Sequence, residues 1–187
     1  ISGIIFGGRR ANLIPLVYES FNWQHGVYLG ASLGSETTPA AMHAVGILRR
    51  DPMAMLPFCG YNMGDYFAHW LRMGEKLTHP PKIFFVNWFR KDENGKFLWP
   101  GFGENIRVLK WIIDRSEGRV PAKETAMGLV PETRDLDFSG LHLPPANIEK
   151  LFSIDDSKKW EEELTQTEEF FQKFYSNCGK EEKQLKN

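Results

Sequence analysis

Lys82-Ile-Phe-Phe-Val-Asn-Trp-Phe-Arg-Lys-Asp-Glu-Asn-Gly-Lys-Phe-Leu-Trp-Pro-Gly-Phe-Gly-Glu-Asn105 is the stretch from which the fold is best read. The part through Phe89 is largely apolar and follows Pro80-Pro81. It is too short for a comfortable helix and long enough for a strand buried on both faces. The run ends at Arg90-Lys91-Asp92, and the polar segment Asp92 to Lys96 reads as a hairpin-like turn. A helix follows at 106, with Ile106, Leu109, Ile112 and Ile113 on one side. Between strand and helix, Phe89, Phe97, Phe102 and the amide of Asn105 surround a turn made flexible by Gly95, Gly101 and Gly103. Aromatic faces grip a planar heterocycle at about 1 to 3 kcal/mol per base. A carboxamide, which both donates and accepts, can read the edge of such a ring. Spacing alone leaves another reading open, in which the rings are satellite core and Asn105 caps the next helix.

Outward from that stretch the chain alternates short apolar runs with helical patterns. Ile1-Ser-Gly-Ile-Ile-Phe6 reads as a buried strand, and Gly7-Gly8-Arg9-Arg10 as a turn that sends two guanidinium groups off its end. Leu16-Val17-Tyr18 suggests another strand, and Asn22 caps a short helix over 23–33. Residues 34–46 are small and hydroxylic, with little to anchor them in a core, and read as a mobile loop. Met63, Tyr66, Phe67, Trp70 and Leu71 place one apolar stripe on an amphipathic helix. Residues 116–145 read as a connector with short elements. Trp160, Leu164, Thr167, Phe171 and Phe174 mark a C-terminal amphipathic helix at about 157–177, followed by a frayed charged tail. The fold class expected is mixed α/β, strands flanked by helices.

The bulk numbers narrow the function. The chain has 187 residues, 42% hydrophobic and 25% charged, with a formal net charge of -1. That balance suits a globular domain and supplies no general field for nucleic acid or anionic lipid. Any anionic ligand must then be held by local groups. Cys59 and Cys178 sit in no metal-binding or redox spacing, which favours a reducing compartment. No apolar run approaches the roughly 18 residues of a membrane span. The chain opens on an apolar run without an initiator Met, which we read as a piece of a longer protein.

The segment Phe85-Val-Asn-Trp-Phe-Arg-Lys-Asp, then Gly95-Lys-Phe-Leu-Trp-Pro-Gly-Phe-Gly-Glu-Asn105 and Arg107-Val-Leu, resembles the nucleotide-binding segment of the GTP-dependent phosphoenolpyruvate carboxykinases almost residue for residue. The resemblance runs from Ile1 to about Phe152. It implies that the chain is a partial C-terminal, nucleotide-binding domain over 1–187, with a lid at 34–46 and a guanine-clamp segment at 82–105. By that resemblance Phe89, Phe97 and Phe102 enclose guanine, Asn105 contacts its edge, and Gly103 and Glu104 line the same turn. The run Ile1 to Arg10, followed by Pro15-Leu-Val-Tyr-Glu19, is similar to the family's stretch carrying an arginine to the triphosphate, which places Arg9 in that nucleotide-binding and catalytic role. Ser35, Glu36, Thr37, Ala40 and His43 match the lid. Pro39, Met42 and Ala44-Val45 depart from the family's lid wording, and Ala11 stands where a proline is usual.

The family's reaction converts oxaloacetate and GTP to phosphoenolpyruvate, GDP and carbon dioxide with Mn2+ or Mg2+, in gluconeogenesis. No GxxxxGK[ST] loop occurs in the chain, so the phosphate loop and metal ligands are expected upstream, and no metal ligand is assigned here. The chain alone is expected not to turn over. The parent is expected to be a monomer in the cytoplasm, with the mitochondrial matrix left open, and to bind neither nucleic acid nor membrane. Asp65 and His69, four apart on a helix, read as a surface ion pair, and His25 as a packed histidine near Trp23. Two other classes compete: a non-catalytic module binding nucleotides or single-stranded RNA, and a scaffold whose C-terminal helix docks a partner.

Overall fold

The computed structural model describes residues 1–39, 45–154 and 156–175. Thus Ala40 and His43 of the expected lid, and Cys178 with the tail, lie outside the described residues. The apolar run at 82 forms β5 (Lys82–Val86), with β1 (Gly3–Gly7) parallel on one side and β2 (Val17–Glu19) antiparallel on the other. Beyond β2 come β7 (Gly128–Val130) and β6 (Lys123–Thr125), both antiparallel to their neighbours, so the order is β1-β5-β2-β7-β6. Successive side chains of β5 point to opposite faces, and each face has its own core. Ile83 and Phe85 join Phe6, Tyr18, Val27 and Phe67, while Phe84 and Val86 join Val17, Trp99, Val108 and Trp111. The strand is therefore buried on both faces as its composition requires.

The first core is covered by α1 (Trp23–Ala31), α2 (Met63–Lys76) and α5 (Ser157–Tyr175). Asn22 caps α1 through its side chain, which accepts from the His25 amide at 2.9 Å. The helix lies so close to β5 that a Cβ on Gly26 would come within 2.4 Å of Ile83. The second core is covered by α3 (Asn105–Ser116) and α4 (Pro145–Phe152), with the Phe84 and Trp111 rings edge to face at 6.0 Å. Buried Glu19 ties α3 to the sheet, accepting from Arg115 Nε at 2.7 Å and pairing with Lys82 Nζ at 2.9 Å.

Several expectations need correction. The first run is an edge strand, so its burial alternates: Phe6 is buried and Ile5 exposed. In α3 the inward face is Val108, Trp111 and Ile112, while Ile106 and Ile113 are exposed. The bulky indole sets the helix rotation by packing on Phe84. Likewise α5 turns Phe170 inward with Phe171 and leaves Leu164 exposed. The segment 34–46 does not begin as loop. Gly34–Glu36 forms β3, paired antiparallel with β4 (Leu48–Arg50). The stretch after 116, by contrast, is the expected connector with short elements, among them the β6 and β7 hairpin, whose three-residue strands are too short to show periodicity.

Candidate functional site

The end of β1 delivers the Gly7-Gly8-Arg9-Arg10 turn against the start of β3. A Cβ on Gly8 would sit 2.4 Å from the Gly34 carbonyl oxygen, so a side chain there would push strand and turn apart. Backbone and side chain stitch the two together. The Arg9 amide donates to Ser35 Oγ at 3.0 Å, the Glu36 amide to the Arg9 carbonyl at 2.8 Å, and the Ala11 amide to Glu36 Oε1 at 2.8 Å. Ser35 and Glu36 therefore lie on a strand, and Thr37 closes the hairpin: its amide donates to the Ile47 carbonyl at 2.9 Å, and its Oγ1 accepts from the Ile47 amide at 3.0 Å.

From this turn the Arg9 guanidinium reaches two groups. Its Nη1 donates to the Glu36 carbonyl at 3.0 Å, and its Cζ lies 4.9 Å from the centroid of the Phe89 ring. Phe89 in turn meets Phe97 edge to face, centroids 6.0 Å apart at 74°. A base sandwiched between two rings needs parallel faces about 7 Å apart, two contact distances of ~3.5 Å. The Phe89 and Phe97 pair is closed in this arrangement. Phe97 is held by the turn at Asp92, whose Oδ1 accepts from the Asn94 and Lys96 amides at 2.9 Å each, and Lys91 Nζ lies 5.1 Å from its ring centroid.

Phe102 stands apart. It follows Gly101 (φ 108°) on a short 3-10 turn and is 94% exposed. A ring so exposed packs on neither of the other two. Gly103 and Glu104 share its turn, and Glu104 Oε2 accepts from Arg107 Nε at 2.6 Å. Asn105 opens α3 without capping it. Its Oδ1 accepts from the indole N–H of buried Trp99 at 2.8 Å. That bond fixes the carboxamide and leaves its N–H2 as the side free to face a ligand.

The structure thus brings Arg9, Ser35, Glu36, Phe89 and Phe97 together, and sets Phe102 to Asn105 on a neighbouring turn of the same loop. Three contributors escaped the sequence reading. Asn87 is fully buried at the end of β5. Its Oδ1 accepts from the Arg10 and Phe89 amides, and its Nδ2 donates to the Arg10 and Ile14 carbonyls. One polar residue inside an apolar run was the available signal. Trp99 is the second. The third is Glu163 of α5, which pairs with Arg10 and with Arg50 of β4. Nothing distinguishes it in sequence from Glu161 and Glu162 beside it.

Burial opposes charge on Glu163, but the hydrogen bonds and charges of Arg10 and Arg50 outweigh it and hold the carboxyl below its ordinary value of 4.5. The unfolded chain therefore takes up this proton first as pH drops. The contribution of the pair to stability is whole above pH 4.5 and is withdrawn as pH falls through the lower folded value. Melting curves of the protein and of Glu163→Gln should accordingly lie apart at neutral pH and converge below pH 4.5. A constant separation across that range refutes the linkage.

His25 stacks on Phe21 at 4.9 Å, its Nδ1 accepts from the Phe21 amide, and burial lowers its pKa. Asp65 and His69 are both exposed on α2. Among the described residues no group of three or more His, Cys, Asp or Glu is placed to hold a metal ion. The Mn2+ or Mg2+ that the resemblance implies finds no donor set among them.

A five-stranded mixed sheet covered by helices, with an arginine turn at the end of edge strand β1 and an aromatic loop after its neighbour β5, defines a mixed α/β domain with a candidate ligand site. Comparison with known proteins gives the family. The family described as phosphoenolpyruvate carboxykinase C-terminal P-loop domain matches residues 1–186. Relatives named phosphoenolpyruvate carboxykinase [GTP] include that of Anaeromyxobacter dehalogenans, 57% identical over 92% of the chain, and that of Neocallimastix frontalis, 56% identical over 94%. One from Thermoplasma volcanium is 52% identical over 96%. The chain belongs to the GTP-dependent phosphoenolpyruvate carboxykinase family and spans 29% of the length of these relatives.

Proposed function

We propose that the protein containing this chain is a GTP-dependent phosphoenolpyruvate carboxykinase, and that these residues supply its guanine clamp, one phosphate-contacting arginine and the active-site lid. The observation that carries the reading is the seat of Arg9. A single guanidinium touches the lid strand at Glu36 and the aromatic loop at Phe89, the two segments a nucleotide's phosphate and base ends would engage.

In this reading oxaloacetate loses carbon dioxide as its C–C bond breaks, and the electron pair stays behind as an enolate. The enolate oxygen attacks the γ-phosphorus of GTP, the bond from that phosphorus to the β,γ-bridging oxygen breaks, and GDP departs. Negative charge sits on several phosphoryl oxygens during transfer, and a planar, permanently charged guanidinium meets it with more than one N–H. Arg9 fills that role. Phe102 swings its exposed ring onto the base while Phe89 and Phe97 open, and Asn105 Nδ2 donates to the guanine carbonyl. The lid at 34–46 closes over the substrates and excludes water. The phosphate loop and metal ligands belong to the rest of the longer protein, and these 187 residues alone do not turn over.

Among the described residues no helix is long and apolar enough to cross a membrane. The reading places the parent in the cytoplasm as a monomer, with the mitochondrial matrix as the alternative and the pathway that of glucose synthesis. In the full-length protein, steady-state assays should register GTP-dependent decarboxylation of oxaloacetate. Phe102→Ala should raise KM for GTP about tenfold with kcat little changed, the equivalent of ~1.4 kcal/mol of lost stacking. Unaltered KM removes Phe102 from the clamp. Nucleotide binding without turnover by the wild type would favour the non-catalytic module.

A further inference from the structure

We propose that Glu163 is a positioning residue that couples the lid hairpin to the phosphate-facing turn through α5. This rests on the nucleotide reading above. The Glu163 carboxylate holds two arginines from different elements. Arg10 Nη1 donates to Oε1 at 3.1 Å while Arg10 Nη2 bonds Oε2, and Arg50 Nη1 lies 2.8 Å from Oε1. Arg10 neighbours Arg9 in the turn. Arg50 ends β4 and also donates to the Ser32 carbonyl at 2.9 Å, just before β3. All three side chains are about nine-tenths buried, with 7%, 10% and 11% exposure for Arg10, Arg50 and Glu163.

Two buried cations here share one anion. With the carboxylate in place they are drawn to a common point, and the turn and the hairpin base keep a fixed separation. Without its charge, two guanidinium groups face each other in a poorly solvated place, and one must leave. Beside Arg10 and Glu163 lies a cavity of about 510 Å³, also lined by Tyr18, Tyr28 and Thr167, which gives an arginine room to swing. Whichever arginine moves takes its element with it. Arg10 pulls on Arg9 through the backbone, and Arg50 pulls on β3 through the ladder of β3 and β4.

The helix does not need Glu163 in order to dock. Phe171 meets Phe67 at 6.0 Å and Tyr28 at 6.1 Å, and Phe170 and Phe174 pack beside it. A neutral isostere at 163 therefore leaves α5 seated while it releases the arginines. This separates a positioning role from a general structural one.

The test uses the full-length protein with Glu163→Gln, assayed at a temperature where it is fully folded. The expected result is a fall in kcat of about ten- to a hundredfold, the usual consequence of a group misplaced by around an ångström. KM for GTP should stay within about threefold, because the base site is untouched. Hydrogen exchange at the amides of Glu36, bonded to the Arg9 carbonyl, and Thr37, bonded across the hairpin to the Ile47 carbonyl, should quicken about tenfold, with α5 unchanged. Wild-type kcat and exchange in the folded variant overturn the proposal, as does a rise in KM alone. So does a loss of kcat without faster hairpin exchange. Should Glu163→Gln not fold, Arg50→Gln leaves Arg10 and Glu163 as a neutral pair and should give the same two effects. If the wild type shows no GTP-dependent turnover, the nucleotide reading has failed, and the exchange measurement alone decides the coupling.

Discussion

Arg9→Gln in the full-length protein is expected to lower kcat by about 10³-fold, the scale on which an arginine stabilises phosphoryl transfer. The loss should fall on kcat and kcat/KM together, because in the proposed function the guanidinium meets charge that develops in transfer rather than the base. The Arg9 amide and carbonyl keep their bonds to Ser35 Oγ and the Glu36 amide at 3.0 and 2.8 Å whatever the side chain, so the turn should survive the change. A variant that keeps its turnover number while KM for GTP rises would move Arg9 from the transferring group to ground-state binding. Full activity would remove it from the site.

Asn87→Ala should be the most damaging single change to stability, at about 3 to 5 kcal/mol, because each buried group left without a partner costs ~1 to 3 kcal/mol. The side chain satisfies the Arg10 and Phe89 amides and the Arg10 and Ile14 carbonyls at 2.9 to 3.2 Å, and it is fully buried. Alanine leaves all four facing a space too apolar to welcome water. The shift in urea midpoint at constant slope reads the effect. A loss under about 1 kcal/mol would mean that the turn relaxes onto other partners, since unexceptional surface changes fall within that range. Because Asn87 grips both ends of the site, turnover should fall even in the folded fraction.

The central strand was legible because apolar side chains on consecutive positions have few other solutions in so short a run, and Ile83 to Val86 do serve two cores. The stripe from Met63 to Leu71 was equally plain, since Met63, Phe67 and Leu71 are the buried face of α2. The rotation of α3 was not legible. Counting aliphatic residues favoured Ile106 and Ile113, whereas Trp111, the largest side chain of the helix, fixed which side turned inward. The short strands at 34–36, 123–125 and 128–130 gain stability from pairing rather than from their own composition.

At the site, the resemblance pointed to the rings and to Asn105, but not to what holds them. Trp99 bonding Asn105, Asn87 bonding the turn and Glu163 bonding two arginines are long-range or polar contacts with no local period. The sandwich expected of Phe89, Phe97 and Phe102 was also invisible in its present form. Ring orientation answers to what is bound, and only composition is written in the chain.

Under the proposed function, Arg9 has two seats it cannot occupy at once, the Phe89 ring over which it now lies and the phosphates of a nucleotide. A purine settling on that ring would evict the guanidinium toward the phosphoryl tail, and a tail that drew the guanidinium away would bare the ring. The two ends of one nucleotide would thus assist each other's entry. A guanosine lacking its phosphates would have to unseat the arginine with nowhere for it to go, and so would bind more weakly than its lost contacts alone would explain.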